Sequence, residues 1–399
     1  QGVFRGISPS GASTGKHEAV ELRDGGVRYF GKGVRKAVRL VNTKIKKKLV
    51  GKSCVRQEEI DKLLQEIDGT QDKHKIGANA LVACSMAVVK AGAAARNQEL
   101  YLYLNSLYSK AFGEKVALKI PQGFFNILNG GVHAANKLAF QEFMIVPFNS
   151  KFSIQLRMAS EIYHNLHKLL IKKYSSVAIG VGDEGGFAPP ISRPEEALNL
   201  IAKAVNLAGY EKKVKFAMDV AASEFYFQRK GRSMDSGEYR AHKVFKSISL
   251  KKYYKQLCDK YPICSIEDPF EENAFSDFSE LLMLLQDRKR KNKVQIVGDD
   301  LTVTNPERVQ AAITEKSANC LLLKVNQIGT VTEALEAAAL AQKAGWKIMV
   351  SHRSGETEDT FIADLAVGIG SGQMKSGAPC RSERVAKYNR LLRIEEELI

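Results

Sequence analysis

Five short apolar stretches, each ending on an ionisable residue and followed by a helical stretch, constrain the fold of this chain most strongly. The ionisable residues are Asp219, Glu267, Asp299, Lys324 and His352, and the last three intervals between them are 32, 25 and 28 residues. Each of these intervals has room for one strand, one helix and two loops. Strands that alternate with helices predict a parallel sheet, and ionisable residues at successive strand ends are typical of the active-site face of a β/α barrel.

The region before this repeat has a different pattern. Residues 2–22 predict turns and strands, and three helical stretches follow before residue 115. A chain of 399 residues has the length expected of two domains. We therefore expect an α/β protein with a smaller α+β capping domain at residues 1–115. A C-terminal, TIM-like β/α barrel, the catalytic domain, is expected at residues 116–399.

The chain is strongly basic, with a formal net charge of +16. Such an excess favours an anionic substrate or partner. Ten Lys or Arg and no acid lie between residues 28 and 52, where apolar residues recur at helical spacing at positions 34, 38, 41, 45 and 49. This pattern predicts an amphipathic helix with a solvated basic face. Weak binding of polyanions by that face is the alternative interpretation.

The cysteines and the apolar runs indicate where in the cell the protein is expected. The six cysteines are scattered and form no CxxC pair, which favours reduced thiols in a cytoplasmic protein. No apolar run reaches the roughly 18 residues that span a bilayer. The longest, at residues 80–89, predicts a buried helix. We expect a cytoplasmic protein without a membrane span or a signal segment.

Three carboxylates at adjacent strand ends predict a metal site. Asp219, Glu267 and Asp299 would converge and repel one another unless a cation lay between them. Ligands that are all oxygen favour Mg²⁺ over zinc or copper. Separate salt bridges to Lys or Arg are the alternative interpretation.

Two lysines near this site suggest proton abstraction. We expect the ammonium groups of Lys324 and Lys375 to lower each other's pKa, so that one lysine can act as a base. Removing a proton beside a carboxylate creates a dianionic intermediate, which needs metal ions and fixed cations in place beforehand.

Three loops complete the candidate site. Residues 351–356 contain Arg353 and Ser354, whose donors suit a phosphate. Residues 182–186 place acids on a turn flanked by glycine, and residues 10–15 form a small loop that could close over a phosphate. Each loop taken alone predicts only an ordinary turn.

Nine stretches, distributed from near the first residue to near the last, resemble one family. They are PSGASTG (9–15), NGGVHAANKLAFQEF (129–143), VGDEGGFAP (181–189), MDVAASEF (218–225), SIEDPF (265–270), GDDLTVTNP (298–306), LLLKVNQIGT (321–330), SHRSGETED (351–359) and GAPCRSERVAKYN (377–389). Together they resemble the enolases (phosphopyruvate hydratases), and the GAPCRSER form is most similar to animal members. The resemblance implies a glycolytic and gluconeogenic carbon–oxygen lyase that interconverts 2-phosphoglycerate and phosphoenolpyruvate. It also implies two Mg²⁺ ions per active site and a homodimer.

The resemblance implies metal ligands by position. Asp219, Glu267 and Asp299 would bind the first Mg²⁺, which also takes the substrate carboxylate. Ser13 would help to hold the second Mg²⁺ together with the phosphate.

Catalytic roles follow from the same resemblance. Lys324 would take the proton from C2, and Lys375 would offset the charge of the intermediate. Glu184, assisted by Glu142, would protonate the departing C3 hydroxyl, and His133 would complete the catalytic set. The implied substrate-binding residues are His133, Gln141, Glu142, Lys324, His352, Arg353, Ser354 and Lys375.

The sequence also departs from the family pattern. The family has a segment before PSGASTG that supplies strands of the small domain and part of the dimer contact, so we expect those leading strands to be missing here. Val132 and Ala135 replace a Ser and a Gly, and would stiffen a closing loop. The basic charge is also unusual. These departures leave open an enolase-fold protein with impaired catalysis and a structural, polyanion-binding or surface-binding role. An acid-sugar dehydratase is disfavoured, because two of the loops suit a phosphate.

Overall fold

Strands of the second half of the chain close into a barrel. The computed structural model describes residues 2–12, 15–228, 237–287 and 293–398. The strands are β1 (Gln122–Asn129), β2 (Glu142–Pro147), β3 (Val214–Asp219), β4 (Tyr226–Phe227), β5 (Glu238–Arg240), β6 (Val244–Phe245), β7 (Ile263–Glu267), β8 (Gln295–Gly298), β9 (Cys320–Leu323), β10 (Lys347–Ser351) and β11 (Gly372–Lys375). Eight of them form the closed barrel, in the order β1-β11-β10-β9-β8-β7-β3-β2. The short strands β4, β5 and β6 form a separate antiparallel sheet.

The predicted repeat is confirmed. Strands β3, β7, β8, β9 and β10 each end at, or one residue before, one of the five ionisable residues named from the sequence. Every residue of β8 and β9 is buried, as expected of parallel strands that are covered on both faces.

One barrel strand runs against the others. Strand β2 is antiparallel to both β1 and β3, whereas the remaining barrel pairs are parallel. The parallel sheet predicted from the repeat is confirmed for β3, β7, β8, β9 and β10, and it does not extend to β2. Parallel neighbours need a crossover, usually helical. Between β1 and β2 the chain forms only a 3₁₀ turn, Gly131–His133, so it returns as a hairpin.

Helices surround the barrel and dominate the N-terminal region. The helices of that region are Arg35–Leu40, Lys46–Leu49, Gln57–Asp68, Ala78–Ala95 and Leu100–Phe112, with a π-helical turn at Val41–Ile45 between the first two. Those of the barrel region are Phe152–Tyr174, Pro194–Leu207, Ser247–Lys260, Phe275–Gln286, Pro306–Thr314, Val325–Ile328, Val331–Lys343, Phe361–Gly368 and Ser382–Leu398. Two of these helices have side-chain caps, because the side chains of Asn305 and Thr330 accept from backbone N–H groups in the first turns that follow them.

The apolar core has an inner and an outer layer. Alternate residues along each strand face opposite sides, so Phe124 packs inside the barrel while Phe125 packs against the surrounding helices. The barrel interior is filled rather than hollow, by Phe124, Met144, Val146, Ala217, Val297, Cys320, Leu322 and Met349.

The predicted strands in residues 2–22 are not found among the described residues. The only pairing in this segment is an isolated bridge between Ser10 and Gly355. Other backbone groups of the segment bond to separate elements, since Ala19 N donates to Gln327 O and Val20 N donates to Asp72 O. The segment therefore lies between the helices and the barrel loops instead of joining a sheet.

The predicted basic helix is confirmed in part, because two of the five residues of its predicted apolar face, Val34 and Val38, are exposed. The chain is helical from Arg35 to Leu49, with Ile45 buried on its inner side. All ten lysines and arginines of residues 28–52 are exposed.

One described helix, Ala78–Ala95, has the length and the apolar composition of a membrane span. Half of this stretch is buried inside the protein, as in the core helix of a globular domain. The predicted buried helix at residues 80–89 lies within it.

Candidate active site

Three carboxylates stand side by side at one end of the barrel. Glu142 pairs in register with Asp219, and Asp219 pairs with Glu267, on the neighbouring strands β2, β3 and β7. Because β2 is antiparallel, its first residue lies at the end of the barrel where the parallel strands finish. All three side chains are buried.

Lys375 binds all three of these carboxylates. Its Nζ lies 2.8 Å from Glu267 Oε1, 3.4 Å from Glu142 Oε2 and 3.5 Å from Asp219 Oδ2. Burial raises the pKa of the Glu142 and Glu267 carboxyl groups well above their usual range, and the neighbouring carboxylates raise it further. A single cation therefore stabilises a crowded set of acids.

A second pair joins Lys324 to Asp299. Lys324 Nζ lies 2.5 Å from Asp299 Oδ2, and the Gln327 amide donates to Asp299 Oδ1 at 2.8 Å. These are the separate acid–lysine pairs that the sequence left open as an alternative. A shared Mg²⁺ among Asp219, Glu267 and Asp299 stays a prediction.

The pKa of both lysines is raised, although Lys375 lowers that of Lys324 as the sequence predicted. Burial does lower the pKa of both ammonium groups, but the adjacent carboxylates outweigh it. The pKa of Lys324 is raised by Asp299, and that of Lys375 is raised well above its usual range by Glu142 and Glu267. The carboxylates prevail because each ammonium group is in direct contact with them.

Two carboxyl groups and two imidazoles form a further cluster. Glu184 Oε1 lies 3.7 Å from His133 Nδ1, and Glu184 Oε2 lies 3.3 Å from His352 Nε2. Glu142 Oε1 lies 4.0 Å from His133 Nδ1. Burial opposes ionisation of Glu184, yet the adjacent His352 and His133 hold its pKa well below the usual range. The pKa of Glu142 moves in the opposite direction, so the two carboxyl groups can hold one proton between them.

The predicted phosphate-binding residues lie beside the N-terminal loop. Arg353 is buried and makes a two-pronged contact with Glu18, at 2.9 and 3.1 Å. Ser354 Oγ accepts from Ala12 N at 2.5 Å. Ser13 lies outside the described residues. These contacts place the loop at residues 10–12 over the Arg353 end of the site.

One cavity brings most of the predicted residues together. It is lined by His133, Gln141, Glu142, Glu184, Asp219, Lys324, Ser351, His352, Arg353, Ser354 and Lys375. Glu267 and Asp299 adjoin it through their contacts with Lys375 and Lys324.

The sequence analysis did not name four buried or half-buried residues of the site. Glu18 and Gln327 bind Arg353 and Asp299, as described above, and Asn126 Nδ2 donates to Glu184 Oε2 at 2.9 Å. Arg384 contacts the loops that carry His352 and Glu184. Asn126 lies three residues before the NGG stretch, and Arg384 lies inside the GAPCRSER stretch. The motifs therefore indicated the region of both residues but not the contacts that they make.

The site has the donors that a hard cation needs. Glu267 Oε2 and Gln141 Oε1 are buried oxygen acceptors without a hydrogen-bond partner. Among the described residues, two groups of side chains bring ligand atoms within 4.8 Å of one another: His133 with Glu142 and Glu184, and Asp268 with Asp299 and Asp300. Oxygen-rich sets of this kind suit Mg²⁺.

Sequence comparison identifies the family. Residues 116–399 match the family described as "Enolase, C-terminal TIM barrel domain", and residues 1–104 match "Enolase, N-terminal domain". Proteins named enolase from Solanum lycopersicum, Eimeria tenella and Mastigamoeba balamuthi are 53%, 52% and 51% identical to this chain. These alignments cover all of this chain and 89%, 90% and 90% of the relatives. None of the three organisms is an animal, so they do not support the animal-like resemblance. With both domain families matched and about half of the residues identical, the chain belongs to the enolase family of carbon–oxygen lyases.

Proposed function

We propose that this chain dehydrates 2-phosphoglycerate to phosphoenolpyruvate, reversibly, at the cavity between Lys324 and Arg353. The observation that carries the proposal is the grouping of a lysine, a pair of carboxyl groups and a buried arginine in that one cavity. The three groups supply a base, an acid and a phosphate contact, which are the parts that this elimination needs.

The proton balance of the reaction assigns the base and the acid. Lys324 Nζ must be neutral to accept the proton from C2, and Asp299 opposes this in the metal-free site by raising its pKa, unless a cation takes up the charge of that carboxylate. When the proton leaves C2, the electron pair left behind moves toward the substrate carboxylate. The C3–oxygen bond then breaks, and the hydroxyl leaves as water with a proton from Glu184. Because the pKa of Glu142 is raised and that of Glu184 is lowered, Glu142 holds this proton first and passes it on through Glu184. The Lys375 ammonium offsets the negative charge that develops on the substrate carboxylate.

Arg353 and Ser354 bind the phosphate in this proposal. A guanidinium group suits two phosphate oxygens at once, and the Glu18 carboxylate already holds that of Arg353 in position. His133, Gln141 and His352 line the rest of the pocket.

Two Mg²⁺ ions are proposed as cofactors. Asp219, Glu267 and Asp299 would hold the first, and the unpartnered Glu267 Oε2 supports a ligand role for that residue. Ser13, outside the described residues, would help to hold the second. When bound, Mg²⁺ supplies positive charge that neutralises these carboxylates and offsets the charge of the substrate.

One assay tests the proposed function. Phosphoenolpyruvate formation from 2-phosphoglycerate is followed by absorbance, first with Mg²⁺ and then with an excess of chelator. We expect turnover with Mg²⁺ and its loss on chelation. A folded protein that shows no turnover with Mg²⁺ would contradict the proposal and favour the alternative of an enolase fold with impaired catalysis.

Asp299→Asn should weaken Mg²⁺ binding more than it weakens the fold. The substitution removes a charged oxygen ligand, while the carboxamide retains an oxygen that can accept from the Gln327 amide. A ligand at 100 times its Kd stabilises a protein by about 2.7 kcal/mol, and we expect the variant to lose most of that gain. Melting temperatures with and without Mg²⁺ measure the effect.

Asp259→Asn is the matched control for this metal measurement. Asp259 is a half-exposed acid paired with Lys255 on the helix Ser247–Lys260, remote from the barrel mouth. It should keep the full Mg²⁺-induced shift. If Asp299→Asn also keeps the full shift, Asp299 is not a ligand.

The remaining proposals concern organisation. We propose a capping domain at residues 1–115, a catalytic domain at residues 116–399 and a homodimer. A reducing compartment, the cytoplasm, is proposed because all six cysteines are free thiols.

Weak polyanion binding is a second candidate function, favoured by the ten exposed cations of residues 28–52. Polyanions release counterions on binding, so affinity should fall steeply with salt and show little preference for sequence. Changing Lys46, Lys47 and Lys48 together to Gln should lower the salt concentration that elutes the protein from heparin. Changing Lys172, Lys173 and Lys168 to Gln removes the same charge from another helix and is the control. If both triple variants and the wild type elute at the same salt concentration, the basic face of residues 28–52 does not bind polyanions.

A further inference from the structure

A fully buried arginine lies behind the proposed acid. Arg384, in the first turn of the helix Ser382–Leu398, has no exposed surface and is the largest side chain buried to this degree among the described residues. The nearby Glu383 carboxylate lies 3.9 Å from its Nε and is itself partly exposed. Burying a cation costs free energy unless hydrogen bonds compensate for the lost water. The groups that accept hydrogen bonds from Arg384 therefore indicate its role.

Those acceptors belong to two loops of the active site. Arg384 Nη2 donates to Asp183 O at 3.0 Å and to Ser354 O at 2.6 Å. Its Nη1 donates to Arg353 O and lies 2.5 Å from His352 Nδ1. One rigid guanidinium group thus connects the turn that carries Glu184 with the segment that carries the phosphate-binding residues.

The contact with His352 determines which ring nitrogen carries the proton. A guanidinium group has donors and no acceptor, so His352 Nδ1 must accept. The proton of the neutral ring is then on Nε2, which lies 3.3 Å from Glu184 Oε2. A second proton on the ring would face the guanidinium group. Burial is the main reason why the pKa of His352 falls to about 3, and Arg384 contributes to the fall.

This tautomer affects the two oxygens of Glu184 unequally. Oε2 faces two donors, the Asn126 amide at 2.9 Å and His352 Nε2 at 3.3 Å. Oε1 lies instead near His133 Nδ1, at 3.7 Å. A carboxyl proton is disfavoured on an oxygen that already accepts from an amide and also faces a ring N–H at 3.3 Å. The proton of Glu184 is therefore directed to Oε1.

We infer that Arg384 is a positioning residue that holds His352 as the Nε2–H tautomer and thereby directs the transferable proton of Glu184 to Oε1. The catalytic part of this inference rests on the proposed dehydration, whereas the tautomer can be measured without any turnover. Arg384 does not touch the reacting atoms and acts through His352 and the two loops.

The test uses the full chain labelled with ¹⁵N-histidine. The His352 signals are assigned as those lost in His352→Asn, and the ring ¹⁵N shifts report the tautomer. In the wild type we expect protonated Nε2 and unprotonated Nδ1. In Arg384→Met the ring should lose this preference, and kcat should fall by about 10²-fold, the lower end of what acid–base groups contribute. We expect kcat to fall by a larger factor than KM rises.

Arg390→Met is the matched control, because Arg390 lies on the same helix but pairs with Asp364 and Glu99. It should leave both the tautomer and kcat unchanged. A wild-type His352 that carries its proton on Nδ1 overturns the inference, whether or not Arg384→Met folds. So does a folded Arg384→Met with the wild-type tautomer and kcat. A wild type with the expected tautomer but no dehydration would instead contradict the proposed function.

Discussion

Lys324→Ala should reduce exchange of the C2 proton of 2-phosphoglycerate with solvent by about 10²- to 10⁴-fold or more, the usual contribution of a positioned base. Lys324 lines the active-site cavity and follows the end of β9. Alanine removes the only atom of the side chain that can accept the proton. Loss of the C2 proton signal in deuterated buffer measures the exchange separately from loss of the C3 hydroxyl.

The fold should survive this substitution, since Asp299 keeps its hydrogen bond from the Gln327 amide. Lys343→Ala is the control, because Lys343 is an exposed lysine in the last turn of the helix Val331–Lys343. It should exchange the proton at the wild-type rate. Near-normal exchange in Lys324→Ala would transfer the role of base to another residue.

Lys375→Met should destabilise the metal-free protein by about 3–5 kcal/mol, the usual cost of removing one partner from a buried ionic group. The substitution keeps a long side chain but leaves Glu142, Asp219 and Glu267 buried without their shared cation. Urea unfolding in the presence of a chelator measures the free energy of unfolding. Lys251→Met removes a lysine from the more exposed acids Asp277 and Glu280, and it should cost clearly less.

The loss in free energy of unfolding caused by Lys375→Met should become smaller as the pH falls. Burial and like charges already raise the pKa of Glu142 and Glu267 in the folded state, and losing the cation raises it further. The folded variant then binds more protons than the unfolded chain, so its stability falls as the pH rises above the ordinary carboxyl range. Unfolding at pH 5 should therefore show a smaller loss than unfolding at pH 8. An equal loss at both values, or no loss, would contradict the cluster described here.

The barrel could be predicted because a buried strand leaves a clear pattern. The apolar residues of β8 and β9 must be covered on both faces, and the next residues, Asp299 and Lys324, are the first that can reach the barrel mouth. Alternation with capped helices then indicates a sheet with crossovers. The same pattern does not describe β2, because a strand that runs in reverse carries its functional residue, Glu142, at its beginning.

The remaining contacts of the site join residues that are far apart in the chain. Glu18 and Arg353 are separated by 335 residues, and Arg384 lies 201 residues from Asp183. Neither pair has a periodicity or a spacing that a sequence pattern could reveal. Closure of the barrel brings its last helix against the turn that carries Glu184, and the N-terminal segment lies across the same end.

The amino-acid sequence by itself determined the barrel, its family and the set of side chains that line the cavity. Burial patterns and local motifs involve residues close together in the chain, so they can be recognised without the tertiary structure. Only the tertiary structure decided how those side chains are paired and which of them hold protons. The pKa of Lys324 and Lys375 is raised rather than lowered, since the nearest charges are the carboxylates that folding places against them. Electrostatic interaction depends on distance and burial, and neither quantity exists before the strands are assembled.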